Sequence, residues 1–344
     1  MKKSPRYFLQ AGFTLVELMV SMVIGLLIVL ALITLLINVN RNNSEMSKTN
    51  RQIENGRFAI QLLQNDIVHA GFWSDLDYSI TPAPSFAVPT AIPLPCDVDV
   101  DSWTSAHKDN ILAIPVQGFA NGSTLTACGV SSVLASSDVL IVRHANTCIA
   151  GSPNCEGGTD TGPHIQVSNC RAVATPEPRY VIAAQPASTA SAPAVFPLKE
   201  KDCTTLVAAK RKLVTNIYYL ANSNNLPTLM RVPLVNGAYL PPQPLIEGIE
   251  AFRVEYGIDT SGDGSPDSYL SVPPTTKEQL GDIVAVKIHV LARNLEPTPG
   301  YTDSKSYQLG ATTVIPAAND QFKRHAYSTT VRLVNPSGRR EMSL

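Results

Sequence analysis

Asp259, Ser261 and Asp263 place oxygen ligands at alternate positions, Gly264 follows at the sixth, and Asp267 lies just beyond. That spacing matches the front half of a calcium loop, in which alternate side chains converge on the ion and glycine makes the sharp turn. The match is partial: Ser261 is a poor third ligand, and Leu270 stands at position twelve, where a bidentate glutamate belongs. The same residues also read as a Gly-rich hairpin with Asp263-Gly264 as its turn. A calcium ion held here would be structural, tying the loop down and taking no part in catalysis.

Nothing else among the reactive residue types is spaced for turnover. His69, His107, His144, His164, His289 and His325 fall in no HExxH or other paired metal spacing, and GxSxG and P-loop patterns are missing. Each histidine reads as a surface or internally satisfied side chain. Lys199, Lys201, Lys210, Arg211 and Lys212 form a basic stretch, but Glu200 and Asp202 interleave it, so a solvated face is expected rather than a nucleic-acid patch. The net charge of -1 agrees, because counterion release needs a concentrated basic surface. The chain is therefore expected to be no enzyme and to require no cofactor.

The six cysteines, Cys96, Cys128, Cys148, Cys155, Cys170 and Cys203, are even in number and contain no CxxC. Disulfides in an oxidising compartment fit that pattern better than zinc. Pairing in sequence order closes the shortest loops and is the expected connectivity.

One carboxylate is out of place. From Leu18 to Ile37 run twenty consecutive residues with only Ser21 and Thr34 as polar interruptions, about 30 Å of helix and enough to cross one hydrocarbon core. Glu17 stands at the head of that run, where burial in lipid costs about 2 to 4 kcal/mol unless the acid is protonated or paired. Lys2, Lys3 and Arg6 precede it and hold that end in the cytoplasm, leaving the remainder on the far side of the membrane. A cleaved signal peptide is the rival reading. The apolar run is longer than a signal core, and no small-x-small site with a sharp polar break ends it. A plain signal anchor, with Glu17 partnered in its own chain or reaching the headgroups, stays open on these grounds alone.

Gly12-Phe13-Thr14-Leu15-Val16-Glu17 resembles the GFTLVE processing site of type IV prepilins and type II secretion pseudopilins, basic leader and long apolar helix included. The resemblance implies a prepilin peptidase that cuts after Gly12 and methylates the new amino terminus at Phe13, with the helix retained. It also implies that Glu17 pairs with the free amine of a neighbouring subunit, turning a costly charge into an assembly register. Asn55-Gly56-Arg57-Phe58-Ala59, Leu63, Asp66-Ile67 and Ala70-Gly71-Phe72 resemble the helix of minor pilins of the PilW kind, as does the stretch Ile246 to Asp259. Asp75 to Leu245 carries no such likeness.

These residues need a scaffold. Val39, Met46, Ile53, Ile60 and Ile67 recur at sevens, so one helix is expected to continue to about Ala70 and end at Gly71, with Gly56 a soft point worth about 1 kcal/mol against alanine. From Phe58 the stripe broadens, as suits lying across a sheet. Strands are expected over 111–114, 139–144, 213–220, 228–234, 249–256, 283–292 and 327–334, and long Pro-, Ala- and Ser-rich loops over 75–95 and 147–197. Val284, Val286, Ile288 and Val290 would face one side and Lys287 and His289 the other. The fold class is α+β: a long N-terminal transmembrane and amphipathic helix packed on an antiparallel β-sheet head, type IV pilin-like, with disulfide-rich loop insertions. The expected divisions are a leader over 1–12, a helix over 13–72 with its transmembrane part over 13–38 and its amphipathic part over 39–72, and a periplasmic head over 73–344.

By resemblance the chain is a minor pilin that primes or stabilises a type IV pilus for motility, adhesion or DNA uptake. The alternatives are a type II secretion minor pseudopilin and a filament-displayed adhesin or ligand-binding head. Its implied partners are the major pilin, other minor pilins, prepilin peptidase, the inner-membrane assembly platform and membrane lipid. Its implied location is the inner membrane, single-pass with the N-terminus cytoplasmic, and then the pilus filament.

Overall fold

The computed structural model describes residues 12–76, 88–155, 160–170, 178–185 and 195–341. The leader before Gly12 lies outside them, as do parts of the two long loops expected over 75–95 and 147–197. The chain divides into two compact units, Met1–Asn50 and Arg51–Leu344.

Helix α1 (Leu15–Ile67) supplies the described elements of the first unit and enters the second. Within the first unit its apolar side chains are all exposed. An 18-residue window has a mean hydropathy of 3.1 and none of it is buried, so the segment is long and apolar enough to cross a membrane and has no protein core of its own. Its two hydroxyls are used locally: Ser21 donates to the Leu18 carbonyl at 2.9 Å and Thr34 to the Ala31 carbonyl at 2.8 Å. A hydroxyl satisfied by its own helix adds little penalty in an apolar medium.

In the second unit α1 buries Gln52, Gly56, Ala59, Leu63 and Ile67, a stripe advancing by three and four residues. The sevenfold series meets that stripe only at Ile67, since Ile53 remains exposed, and Phe58 is exposed as well. Gly71, at φ +73°, ends the helical turns, and its N–H donates to the Arg143 carbonyl at 3.1 Å.

The elements that follow are α2 (Ser105–Ala113), β1 (Val116–Phe119), β2 (Val139–Ala145), β3 (Pro163–Val167), β4 (Tyr180–Ala184), β5 (Lys210–Ser223), β6 (Leu226–Val235), β7 (Ala238–Tyr239), β8 (Gln243–Glu247), β9 (Ile249–Ile258), β10 (Ser268–Leu270), α3 (Lys277–Gly281), β11 (Ile283–Arg293), β12 (Tyr307–Leu309), β13 (Thr312–Val314), β14 (Arg324–Arg332) and α4 (Val334–Glu341). The larger sheet has eight strands in the order β1-β2-β5-β3-β4, with β6 also on β5 and both β7 and β8 on β6. A second sheet runs β10-β9-β11-β14, and β12 and β13 form a separate hairpin. Every ladder is antiparallel, giving the α+β head.

One core joins the helix to both sheets: Ala59, Leu63 and Ile67 pack with Leu140, Val142, Tyr218 and Leu220 of the larger sheet and with Phe252, Val254, Val286, Ile288 and Val290 of the smaller. The alternation along β11 puts Val286, Ile288 and Val290 into this core. Its other face is partly covered, because Leu291 packs with Ala251, Tyr307 and Leu309 under the hairpin.

Four expectations need correction. Residues 111–114 form the end of α2, capped at its start by the Thr104 hydroxyl, and not a strand. The 147–197 loop contains β3, which is buried, and β4, which is half-buried around Ile182, despite their Pro-rich surroundings. The last strand stops at Arg332, and Val334 opens α4. Gly56 is a packing requirement and not a soft point: a Cβ there would fall inside the Tyr327 ring.

Cys96 pairs with Cys128, Cys148 with Cys155 and Cys170 with Cys203, with Cα separations of 4.9, 5.8 and 4.9 Å. The pairs follow sequence order and leave no free cysteine among the described residues.

Candidate functional site

Gly12 and Phe13 lead into α1 without helical structure, and Phe13 is exposed. Thr14 and Glu17 make a capping box. The Thr14 N–H and hydroxyl donate to Glu17 Oε2 at 2.9 and 3.0 Å, and the Glu17 N–H donates back to Thr14 Oγ1 at 3.3 Å. Reciprocal bonds of this kind satisfy donors that the first helical turn leaves unpaired. Glu17 thus has a partner in its own chain two residues beyond the Gly12-Phe13 bond. The T-x-x-E spacing of Thr14 and Glu17 is legible in the sequence as a capping signal.

A second polar centre lies at the other end of α1. Asp66 projects from the buried face of the helix and accepts from Asn216 Nδ2 at 3.1 Å, the Tyr218 hydroxyl at 3.0 Å and His144 Nε2 at 3.0 Å. Those donors stand on β2 and β5, so one carboxylate fastens the helix to the larger sheet. His144 Nδ1 faces the Ala145 carbonyl at 2.8 Å. Both ring nitrogens therefore meet acceptors, and only the imidazolium donates to both. Burial pushes the imidazole down, but the hydrogen bond and charge of Asp66, helped by the Ala145 carbonyl, outweigh it and hold the group above its ordinary range. Burial and Asp66 together raise the Tyr218 hydroxyl well above its ordinary value. The sequence signal for this centre is an acid seven residues after Ala59, beside Leu63 and Ile67 of the buried stripe.

The remaining histidines are held locally where their partners are defined. His289 Nδ1 lies 2.7 Å from the Ser328 hydroxyl and its Nε2 3.3 Å from Glu255. Gly310 of the β12–β13 hairpin sits against that pair so closely that a Cβ would strike both Glu255 and His289. The basic stretch is likewise committed: Lys212 pairs with Asp160 at 2.5 Å, and Arg211 donates to Ser74 Oγ at 3.1 Å.

The calcium-like residues are taken up by hydrogen bonds of their own loop, the Ser261 hydroxyl donating to Asp259 Oδ1 at 3.2 Å. Asp259 Oδ1 accepts the Gly262 N–H at 2.6 Å and its Oδ2 the Gly264 N–H at 2.9 Å. Asp267 Oδ2 receives the Thr260 N–H, the Thr260 hydroxyl and the Ser261 N–H at 2.7, 2.8 and 2.9 Å. These bonds hold its carboxyl below the usual range. Asp263 accepts from the Ser265 N–H at 2.8 Å. Among the described residues no group of three or more His, Cys, Asp or Glu side chains comes together to hold a metal ion.

Two families match this chain. Residues 217–335 match the family described as type IV pilus-assembly protein W, and residues 8–36 match the prokaryotic N-terminal methylation motif. The first match runs from within β5 to the start of α4 and takes in the whole smaller sheet; it also begins upstream of Leu245, where the sequence showed no likeness. The second covers the Gly12–Glu17 segment and most of the apolar run. No curated protein and no solved structure matches the chain. The family matches are those of a structural pilus protein, and the apolar helix with the methylation motif suggests membrane anchoring. Together these matches support a type IV pilin of the PilW kind.

Proposed function

We propose that this chain is a minor pilin that assembles with the major pilin and other minor pilins to prime or stabilise a type IV pilus. The observation that carries the reading is an uncovered apolar helix that opens at a processing motif and ends in the head core. A helix of this kind has no place in a freely exported protein, and its apolar side chains need lipid or other helices as cover.

In this reading prepilin peptidase cuts after Gly12 on the cytoplasmic side and methylates Phe13, and the head faces the periplasm before assembly. Cutting there leaves Thr14 and Glu17 in the mature chain with the capping box intact. Glu17 then has two uses: it caps its own helix, and it offers its second oxygen to the amine of a neighbour. The capping box lowers the penalty for a lone acid in lipid without removing its charge, so the attraction between subunits survives.

The test is deletion of the gene with examination of surface filaments and of sheared pilus fractions from the parent strain. Loss of piliation with this chain present in the sheared fraction is the expected result. Intact pili with a failure to export folded proteins would support a secretion pseudopilin instead. Intact pili with lost surface attachment would support a displayed adhesin.

A further inference from the structure

The loop after β9 has the look of a half-built calcium site, yet its buried carboxylate already has a positive partner from the far end of the sequence. Asp259 is fully buried. Arg340 Nη1, on α4, lies 3.6 Å from Asp259 Oδ2 and donates to the Asp259 carbonyl oxygen at 3.0 Å. The other terminal nitrogen of Arg340 pairs with the Asp282 carboxylate, and the Asp282 carbonyl accepts the Asp259 N–H at 3.0 Å. One guanidinium thus gathers two carboxylates and a backbone carbonyl, the oxygen types a calcium ion would gather.

Helix α4 is seated on the same loop by further contacts. Ser337, fully buried, donates its hydroxyl to the Gly264 carbonyl and accepts from Arg332 Nε at 2.7 Å. Gly264 has φ +80°, and a Cβ there would lie 2.6 Å from the Ser337 carbonyl oxygen. The glycine at the sixth position of the calcium-like pattern is therefore needed for docking α4 as well as for the turn. Asp263 and Asp267 are turned to N–H groups of their own turns.

We infer that Arg340 is the built-in cation of the 259–267 loop, and that α4 acts as a latch whose seating orders the loop without calcium. The Asp-x-Ser-x-Asp-Gly spacing supplies the acceptors and the bare backbone on which α4 docks.

The test uses the full-length protein in detergent, melted with millimolar calcium and with a chelator, alongside Arg340→Met and Arg340→Lys. The wild-type melting curve is expected to be the same in both conditions. Arg340→Met is expected to melt lower by about 3 °C or more and to lose hydrogen-exchange protection at the Gly262 and Gly264 amides, with Arg340→Lys recovering part of both. A wild-type curve raised by calcium, with the rise abolished by Asp259→Asn, would overturn the inference. So would unchanged protection at Gly262 and Gly264 in Arg340→Met. If Arg340→Met does not fold, calcium titration calorimetry on the wild type decides the matter, heat of binding at the loop counting against the latch.

Discussion

At residue scale, the two ends of α1 carry carboxylates with different tasks. Replacing Gly12 by a bulkier residue is expected to leave a precursor whose intact mass retains the leader, while normal cleavage would refute the processing role. Glu17→Ala removes both the cap and the charge. Glu17→Gln keeps a hydrogen-bond acceptor for Thr14, so comparing the two separates helix capping from pairing between subunits. Co-purification with partner pilins should fall in both variants if the charge is what matters, and only in Glu17→Ala if capping is. At the other end, Asp66 and the Ala145 carbonyl favour His144 as the imidazolium. The folded-state value lies above the unfolded 6.5, so this contribution is fully present below about pH 6.5 and is lost as pH rises through the folded value. Denaturation across that range should show stability falling with pH in the wild type and a flatter profile in His144→Gln. Asp66→Ala leaves a buried cation unpaired and should destabilise by about 3 kcal/mol.

At the scale of elements, the helix and the sheet meet where Gly56 lets the Tyr327 ring lie against the backbone of α1. Gly56→Ala should gain about 1 kcal/mol of helix propensity and lose more to overpacking, a net loss of about 1 to 2 kcal/mol. In a Tyr327→Ala background the same change should become neutral or stabilising, and denaturant midpoints of the four proteins measure the coupling. This contact also marks what the sequence can convey. Local pattern located α1, its stop at Gly71, and the long strands such as Ile283–Arg293, because each has a period of its own. It could not convey that Tyr327 seats on Gly56 or that Arg340 returns to Asp259, since both join residues distant in the chain. Ile111 and Leu112 read as strand in sequence and are helix in the structure, because a short apolar run has no period to distinguish it from a buried helix end. Strands β3 and β4 were missed because Pro- and Ser-rich neighbours masked runs of only five residues.

At the scale of the whole molecule, the first unit exposes its apolar side chains and the second is well tied internally. Three disulfides staple the segment between Cys96 and Cys203, where the strands are short and loops are long. Each bridge is expected to contribute about 2 to 4 kcal/mol, so reduction should lower the melting temperature by several degrees, and thiol titration of denatured, unreduced protein should find almost no free thiols. The four-stranded sheet and the C-terminal latch fall within or beside the family match at 217–335, whereas all three bridges lie in sequence outside both matched regions.

If the chain assembles as proposed, processing removes a short leader and leaves the apolar helix in place. Intact mass and N-terminal fragmentation of the protein purified from membranes test it in one measurement. The predicted species begins at Phe13, carries one methyl group on its amine and contains the whole apolar run from Leu18 to Ile37. A mature species that begins beyond Ile37 would contradict the claim and the assembly role built on it.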